Sequence, residues 1–164
     1  MKVFLAISLC FAAITTSVGW IVDSQNERER VICLAHARGL AEVVSKARQV
    51  YSKCRAAEDP LPIEFARMLI NDIDGASIKI YSKYPFPSNK DGGLRTEEQK
   101  NAWKAIAEDG QKEYVNSSRG VLQYAIPDIM NASCVKCHNS HPKTPKNDWK
   151  VGDVRGIIDV RISY

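Results

Sequence analysis

Hydrophobic and polar positions divide the chain into an apolar N-terminal run, a helical stretch and a stranded stretch. Val3 to Val22 carries no charge and lies between Lys2 and Asp23. From Ser24 to about Ala57 there is no Pro, the single Gly is Gly39, and Cys33, Leu40, Ala47 and Cys54 recur at seven-residue spacing. His36, Ala37, Val43, Val44, Val50 and Tyr51 widen this into an apolar stripe, with Glu42, Lys46 and Arg48 mostly off it. That pattern predicts one long amphipathic helix. Asp59-Pro60-Leu61-Pro62 stops it, and a shorter helix is expected from about Ile63 to Asp72.

Further along, the period shortens. Ser77 to Lys83 alternates around Ile78, Ile80 and Tyr81 and predicts a strand. Tyr84-Pro85-Phe86-Pro87-Ser88-Asn89 and Asp91-Gly92-Gly93 form a turn-rich loop. Thr96, with Glu98 close behind, can cap a helix to about Asp109, its apolar side carrying Ala102, Trp103, Ile106 and Ala107, with Gly110 ending it. Val121 to Ile126 reads as a strand, with a short one before it near Tyr114. Cys134 to Trp149 is expected to be a loop. Val154 to Ile162 is the last strand, with Ile158, Val160 and Ile162 on one face and Ile157, Asp159 and Arg161 on the other. Helices first and a small antiparallel sheet after make an α+β arrangement.

At 164 residues the chain has room for one domain with a core. Its 45% hydrophobic and 26% charged residues exclude a disordered main body. Net charge is +4 with no block of consecutive Lys or Arg, so nucleic-acid binding has little support. Residues 1–22 read as a targeting segment and 23–164 as the functional domain. A cleaved signal peptide would have its apolar core at Val3 to Ile14 and its cut after Ser17-Val18-Gly19. An uncleaved anchor would use the whole run, about 30 Å of helix, with Trp20 at the interface. Either way the remainder is expected on the periplasmic side of a bacterial inner membrane, anchored or free.

Five cysteines are present, and Cys10 lies in the targeting segment. A Cys33–Cys54 bridge within one helix is excluded, because 21 residues of helix span about 30 Å. Cys134 and Cys137 have their own context: Ala132-Ser133-Cys134-Val135-Lys136-Cys137-His138-Asn139-Ser140-His141-Pro142 contains Cys-x-x-Cys-His, the attachment pattern of a c-type haem. The two thiols add across the haem vinyl groups as thioethers, and the spacing sets both sulfurs along one haem edge. The adjacent His138 then brings its imidazole under the iron. Two other chemistries use these residue types. Cys134, Cys137 and either His138 or His141 could hold zinc, and a Cys-x-x-Cys at a helix start can be a redox disulfide, usually inside a βαβ unit.

Three stretches carry a family resemblance: Tyr124-Ala125-Ile126-Pro127-Asp128-Ile129-Met130, the Cys134 to Pro142 motif, and Asp148-Trp149-Lys150-Val151-Gly152-Asp153-Val154-Arg155-Gly156. With Tyr81-Ser82-Lys83-Tyr84-Pro85-Phe86-Pro87, they resemble the exported bacterial haem c proteins with a PAS-like fold, which occur alone or as sensor input domains. The resemblance spans about Glu29 to Ile162. It implies a PAS-like antiparallel sheet with a long N-terminal helix, one covalent haem c on Cys134 and Cys137, and His138 as an axial ligand. In a stand-alone relative the other axial ligand is a cysteine thiolate.

For the second axial position the candidates are Cys54 and Met130, then His36, Cys33, His141 and Met68, or water, or an open site. A thiolate would lower and a thioether raise the reduction potential. Trp149, Lys150 and Arg155 are expected at the haem edge, the cations near the propionates; a solvated loop is the plainer reading of all three. Nothing marks an enzyme: no catalytic carboxylate pair, phosphate loop or nucleophile with a matching base is visible. A sensor of redox state or of a diatomic gas is expected first, and a periplasmic electron carrier is the alternative. The chain ends soon after its last strand, so a sensor of this form is expected to act through a separate redox or signalling partner. The long helical stripe would serve either a homodimer or packing on the domain's own sheet.

Overall fold

A computed structural model describes residues 3–54, 62–71, 73–89 and 91–164, with side chains placed from residue 23 onward. The targeting expectation for residues 1–22 rests on side chains outside that set. So do the helix stop at Asp59-Pro60-Leu61 and the end of the second helix at Asp72. Among the described residues no helix is long and apolar enough to cross a membrane.

The element order is α1 (Val3–Cys54), α2 (Pro62–Asn71), β1 (Ser77–Tyr81), α3 (Glu97–Trp103) continuing into a π-helical turn (Lys104–Glu108), β2 (Tyr114–Ser118), β3 (Val121–Ile129), α4 (Ala132–Ser140) and β4 (Val154–Ser163). The four strands form one sheet in the order β1-β4-β3-β2, every neighbouring pair antiparallel. This is the α+β class, a PAS-like antiparallel sheet with a long helix ahead of it. The β2–β3 hairpin closes through Arg119 and Gly120 at φ 53° and 72°, the paired left-handed conformation of a type I′ turn. Pro127 lies inside β3 opposite Ile157. The β2 pairing has already stopped at Ala125, so the missing N–H costs no bond on that side.

Alternation along the strands builds two cores. Ile78, Leu122, Tyr124, Ile158 and Val160 face Ala37, Ala41 and Val44 of α1. Tyr81, Ala125 and Ile157 point the other way, against Ala102, Trp103 and Ile106 of α3 and the π turn. Small residues on α1 let its backbone lie close to the sheet. The stripe on α1 is rotated from the one expected. Cys33 and Leu40 only flank the buried line, whereas His36, Val43, Val50 and Cys54 are exposed. Arg48, expected off the stripe, continues the buried line Ala37, Ala41, Val44. α2 is held to α1 by stacking of Phe65 on Tyr51, centroids 4.1 Å apart.

The helix after Thr96 begins as expected, but with a different partner. Thr96 Oγ1 accepts from the Gln99 amide (3.3 Å) and Gln99 Oε1 accepts from the Thr96 amide (3.1 Å). Gln99, not Glu98, therefore completes the capping box. The segment Cys134 to Trp149 is not a loop throughout. Its first part is α4, started by Asn131, whose Oδ1 accepts from the Cys134 amide at 2.9 Å. Asn is among the best N-cap residues. Ser133 donates to the same Oδ1 at 2.7 Å. Asn131 Nδ2 donates to Ser52 Oγ at 2.8 Å, tying the start of α4 to α1.

Candidate functional site

Helical geometry decides what α4 presents. At about 100° per residue, Cys137 lies about 60° to one side of Cys134 and His138 about 40° to the other. Both thiols and the imidazole therefore share one face of α4, and all three line the same cleft. Cys134 and Cys137 are free thiols. The helix ends at His141, which is extended (φ −76°, ψ 126°), ahead of Pro142, which disfavours helix in its predecessor.

The cleft has a volume of about 300 Å³, the lower end of the range for small-molecule sites. One wall is the C-terminal part of α1 (Arg48, Ser52) with Arg155 at the start of β4. A second is the start of α2, and the third is the segment from Tyr84 to Asn89. That segment is anchored to the sheet. Ser82 Oγ donates to the Arg155 carbonyl and accepts from the Tyr84 amide (3.0 Å), and the Ser82 amide donates to the Gly92 carbonyl (2.7 Å). Phe86 is thereby set against both imidazoles, 5.0 Å from the ring centres of His138 and of His141.

His138 is half-buried, and burial, reinforced by Arg155 and Arg48, pushes its pKa down to about 4. It is neutral at pH 7, with a lone pair free for a metal ion. The two arginines are themselves buried. Asp128 of β3 accepts from both, Arg48 Nη2 at Oδ1 and Arg155 Nη2 at Oδ2. Burial lowers the pKa of Arg48 to about 9, reinforced by the charge of Arg155, and burial lowers that of Arg155 to about 10.

Of the residues expected at the site, Cys134, Cys137, His138 and Arg155 come together on the cleft. Trp149 is buried beside it, its ring 6.3 Å from His138 and 5.6 Å from Tyr84. Asn139 fixes it through a pair of bonds, Nδ2 to the Trp149 carbonyl (2.9 Å) and Oδ1 from the Trp149 amide (3.0 Å). Lys150 is exposed, its amide bonded to Asp153 Oδ2 (2.9 Å), and does not line the cleft. Met130 is fully buried away from the cleft. Cys54 is exposed and does not line the cleft either. Lying two residues beyond Ser52, it is turned about 200° around the helix. Cys33, His36 and Met68 also stand outside. His141, three residues past His138, does line it.

Arg48 and Asp128 were not visible as site residues in the sequence, because the ion pair joins positions far apart in the chain. A charged residue on a helix reads as solvated until its partner is known. Asp128 does leave a trace, a lone carboxylate inside an otherwise uncharged strand. The Asn131 cap was missed, although Asn directly preceding a run free of Gly and Pro is its signal.

Among the described residues no group of three or more His, Cys, Asp or Glu side chains is placed to hold a metal ion, whereas structural zinc takes four ligands. α4 does start at the Cys-x-x-Cys, but it joins antiparallel strands, not the parallel pair of a βαβ unit.

Comparison with known proteins places this geometry. Residues 23–163 match the Tll0287-like family, described as Tll0287. The crystal structure of the cyanobacterial haem protein Tll0287 superposes with a TM-score of 0.65 at 16% identity, over 79% of this chain and 94% of that one. That identity speaks for the fold. No curated protein matches the chain.

Proposed function

The chain belongs to the Tll0287-like family, and on that footing we propose that it is an exported haem protein, carrying one covalent haem c and acting as a sensor of redox state or of a diatomic gas. The observation that carries the reading is the shared face of α4. Cys134, Cys137 and a neutral His138 all open into one cleft with buried positive charge on its wall. These residues fit the group: two thiols to become thioethers, an imidazole for the iron, and guanidinium N–H donors for carboxylates. When bound, the haem supplies an iron that changes oxidation state and can take a small ligand. The chain's own part is to orient and to shield. Asn131 holds the first thiol's helix in place, and Asn139 fixes Trp149 beside His138. Phe86 and Trp149 pack against the imidazole and keep water from it.

The placement of Cys54 and Met130 outside the cleft supports a sensor, since neither is set to fill the second axial position. The electron-carrier reading rests on a different residue, His141, the one further imidazole lining the cleft. The visible spectrum of the reduced protein separates the two. A high-spin ferrous spectrum that shifts with carbon monoxide is expected. A low-spin, six-coordinate spectrum indifferent to carbon monoxide, becoming high-spin in His141→Ala, would establish the carrier. Export rests on the apolar run Val3 to Val22 and on thioether formation being chemistry done outside the cytoplasm. Haem-bearing protein found only in the cytoplasmic fraction would contradict it.

A further inference from the structure

The wall of the cleft holds one buried charge too many. Arg48, Asp128 and Arg155 bring two guanidiniums to one carboxylate, with side-chain exposures of 6%, 2% and 13%. They come from α1, β3 and β4, so three elements converge on this point. Arg48 Nε is buried with no hydrogen-bond partner. An uncompensated buried cation and an orphaned buried N–H are both costly, and the rest of the cleft does not balance them. Facing the pair are Cys134 and His138 of α4, neither a carboxylate, while Glu64 and Arg67 of α2 are exposed and opposite in sign.

A guanidinium offers five donors in a planar fork. Asp128 takes one nitrogen from each arginine and leaves the remaining donors, the Arg48 Nε–H among them, without a carboxylate. A second carboxylate, reaching the pair from the cleft that both arginines line, would complete the set.

We propose that Arg48 and Arg155, spaced by Asp128, form a clip for one carboxylate of the bound group, which for a haem is a propionate. The proposal rests on the haem reading above and adds Arg48 and Asp128 to the binding residues. The plainer alternative is a staple: Arg48 serves only to pin α1 to the sheet through Asp128. A staple affects folding. A clip also sets the charge and protonation of a group coupled to the iron.

The test uses the haem-bearing protein and its Arg48→Gln, Arg48→Lys and Asp128→Asn variants. Three quantities are read: haem retained after denaturation, midpoint potential between pH 5 and pH 9, and the propionate bending band in the resonance Raman spectrum. Retention is expected to be equal throughout, since the thioethers carry it. In Arg48→Gln the potential is expected to fall and to become more dependent on pH, because a propionate that has lost its cation titrates in this range. The Raman band is expected to move with it, and Arg48→Lys to restore both in part. Asp128→Asn, which adds to the surplus positive charge, is expected to shift the potential upward. If Arg48→Gln fails to fold, Arg48→Lys and Asp128→Asn still read the clip through the Raman band. An unchanged band and an unchanged potential–pH profile, with only the melting temperature lowered, would overturn the clip in favour of the staple. A wild-type protein that retains no haem would overturn the haem reading and the clip with it, and its unmodified mass would identify that case.

Discussion

At His138 the protein sets a side chain's protonation by where it puts it. The ordinary pKa of 6.5 falls to about 4, first through burial and then through Arg155 and Arg48. The unfolded chain therefore takes up a proton at a pH where the folded one does not, and stability falls as pH drops from about 6.5 to about 4. Above that window His138 is neutral in both states and contributes no slope. In the haem-free protein, urea midpoints across this range should decline less steeply in His138→Ala than in the wild type, and parallel slopes would count against the placement. Asp159 works in the opposite sense. Burial raises its pKa, with Arg161 Nε at 3.1 Å opposing the shift, so the penalty grows with rising pH until the folded-state carboxyl has ionised. Asp159→Asn should be more stable than the wild type at pH 7. The difference should shrink as pH approaches 3.8, the group's ordinary value. A variant less stable than the wild type at pH 7 would mean that the bond to Arg161 outweighs burial. At this scale the sequence was legible only where chemistry is local. Cys134, Cys137 and His138 announce themselves by spacing, whereas Arg48 becomes meaningful only when Asp128, 80 positions later, is brought to it.

Secondary elements were legible where side chains alternate, or where a cap precedes an apolar face. Ser77, Val121 and Val154 begin strands where the pattern changes period, and β3 and β4 run slightly past the expected ends. The sheet pairing carries those extra residues, which no local pattern records. Two elements were misread for physical reasons. α4 is short and lacks an apolar stripe, so its signal is a cap and not a period. On α1 the exposed Val43 and Val50 look as apolar as the buried Ala37 and Ala41; small residues mark the buried face because the sheet lies close. Ala41→Leu should accordingly cost about 1–3 kcal/mol by overpacking, while Val43→Ala should change stability little. Equal effects in thermal unfolding would place the core on the wrong face of α1. Asn131→Ala should cost about 1 kcal/mol by removing the α4 cap. It also removes the bond to Ser52, so α4 should show faster amide exchange than the rest of the molecule, and uniform exchange would argue against a local anchor.

Over the whole molecule, the sheet lies between α1 on one face and α3 with its π turn on the other. The cleft opens where the C-terminal part of α1, the start of α2, the Tyr84 to Asn89 segment and α4 meet. The proposed attachment residues lie in one short motif and distant parts of the chain supply the walls, which is why the first was readable and the second was not. The proposed function depends on covalent haem at Cys134 and Cys137, and one measurement addresses it. The protein, produced in cells able to mature c-type cytochromes, is denatured, extracted with acid acetone and weighed by intact mass spectrometry. One haem per chain, retained in the wild type and lost when Cys134 and Cys137 are both replaced by Ser, is the expected result. A wild-type chain with unmodified mass and a colourless denatured fraction would contradict the account.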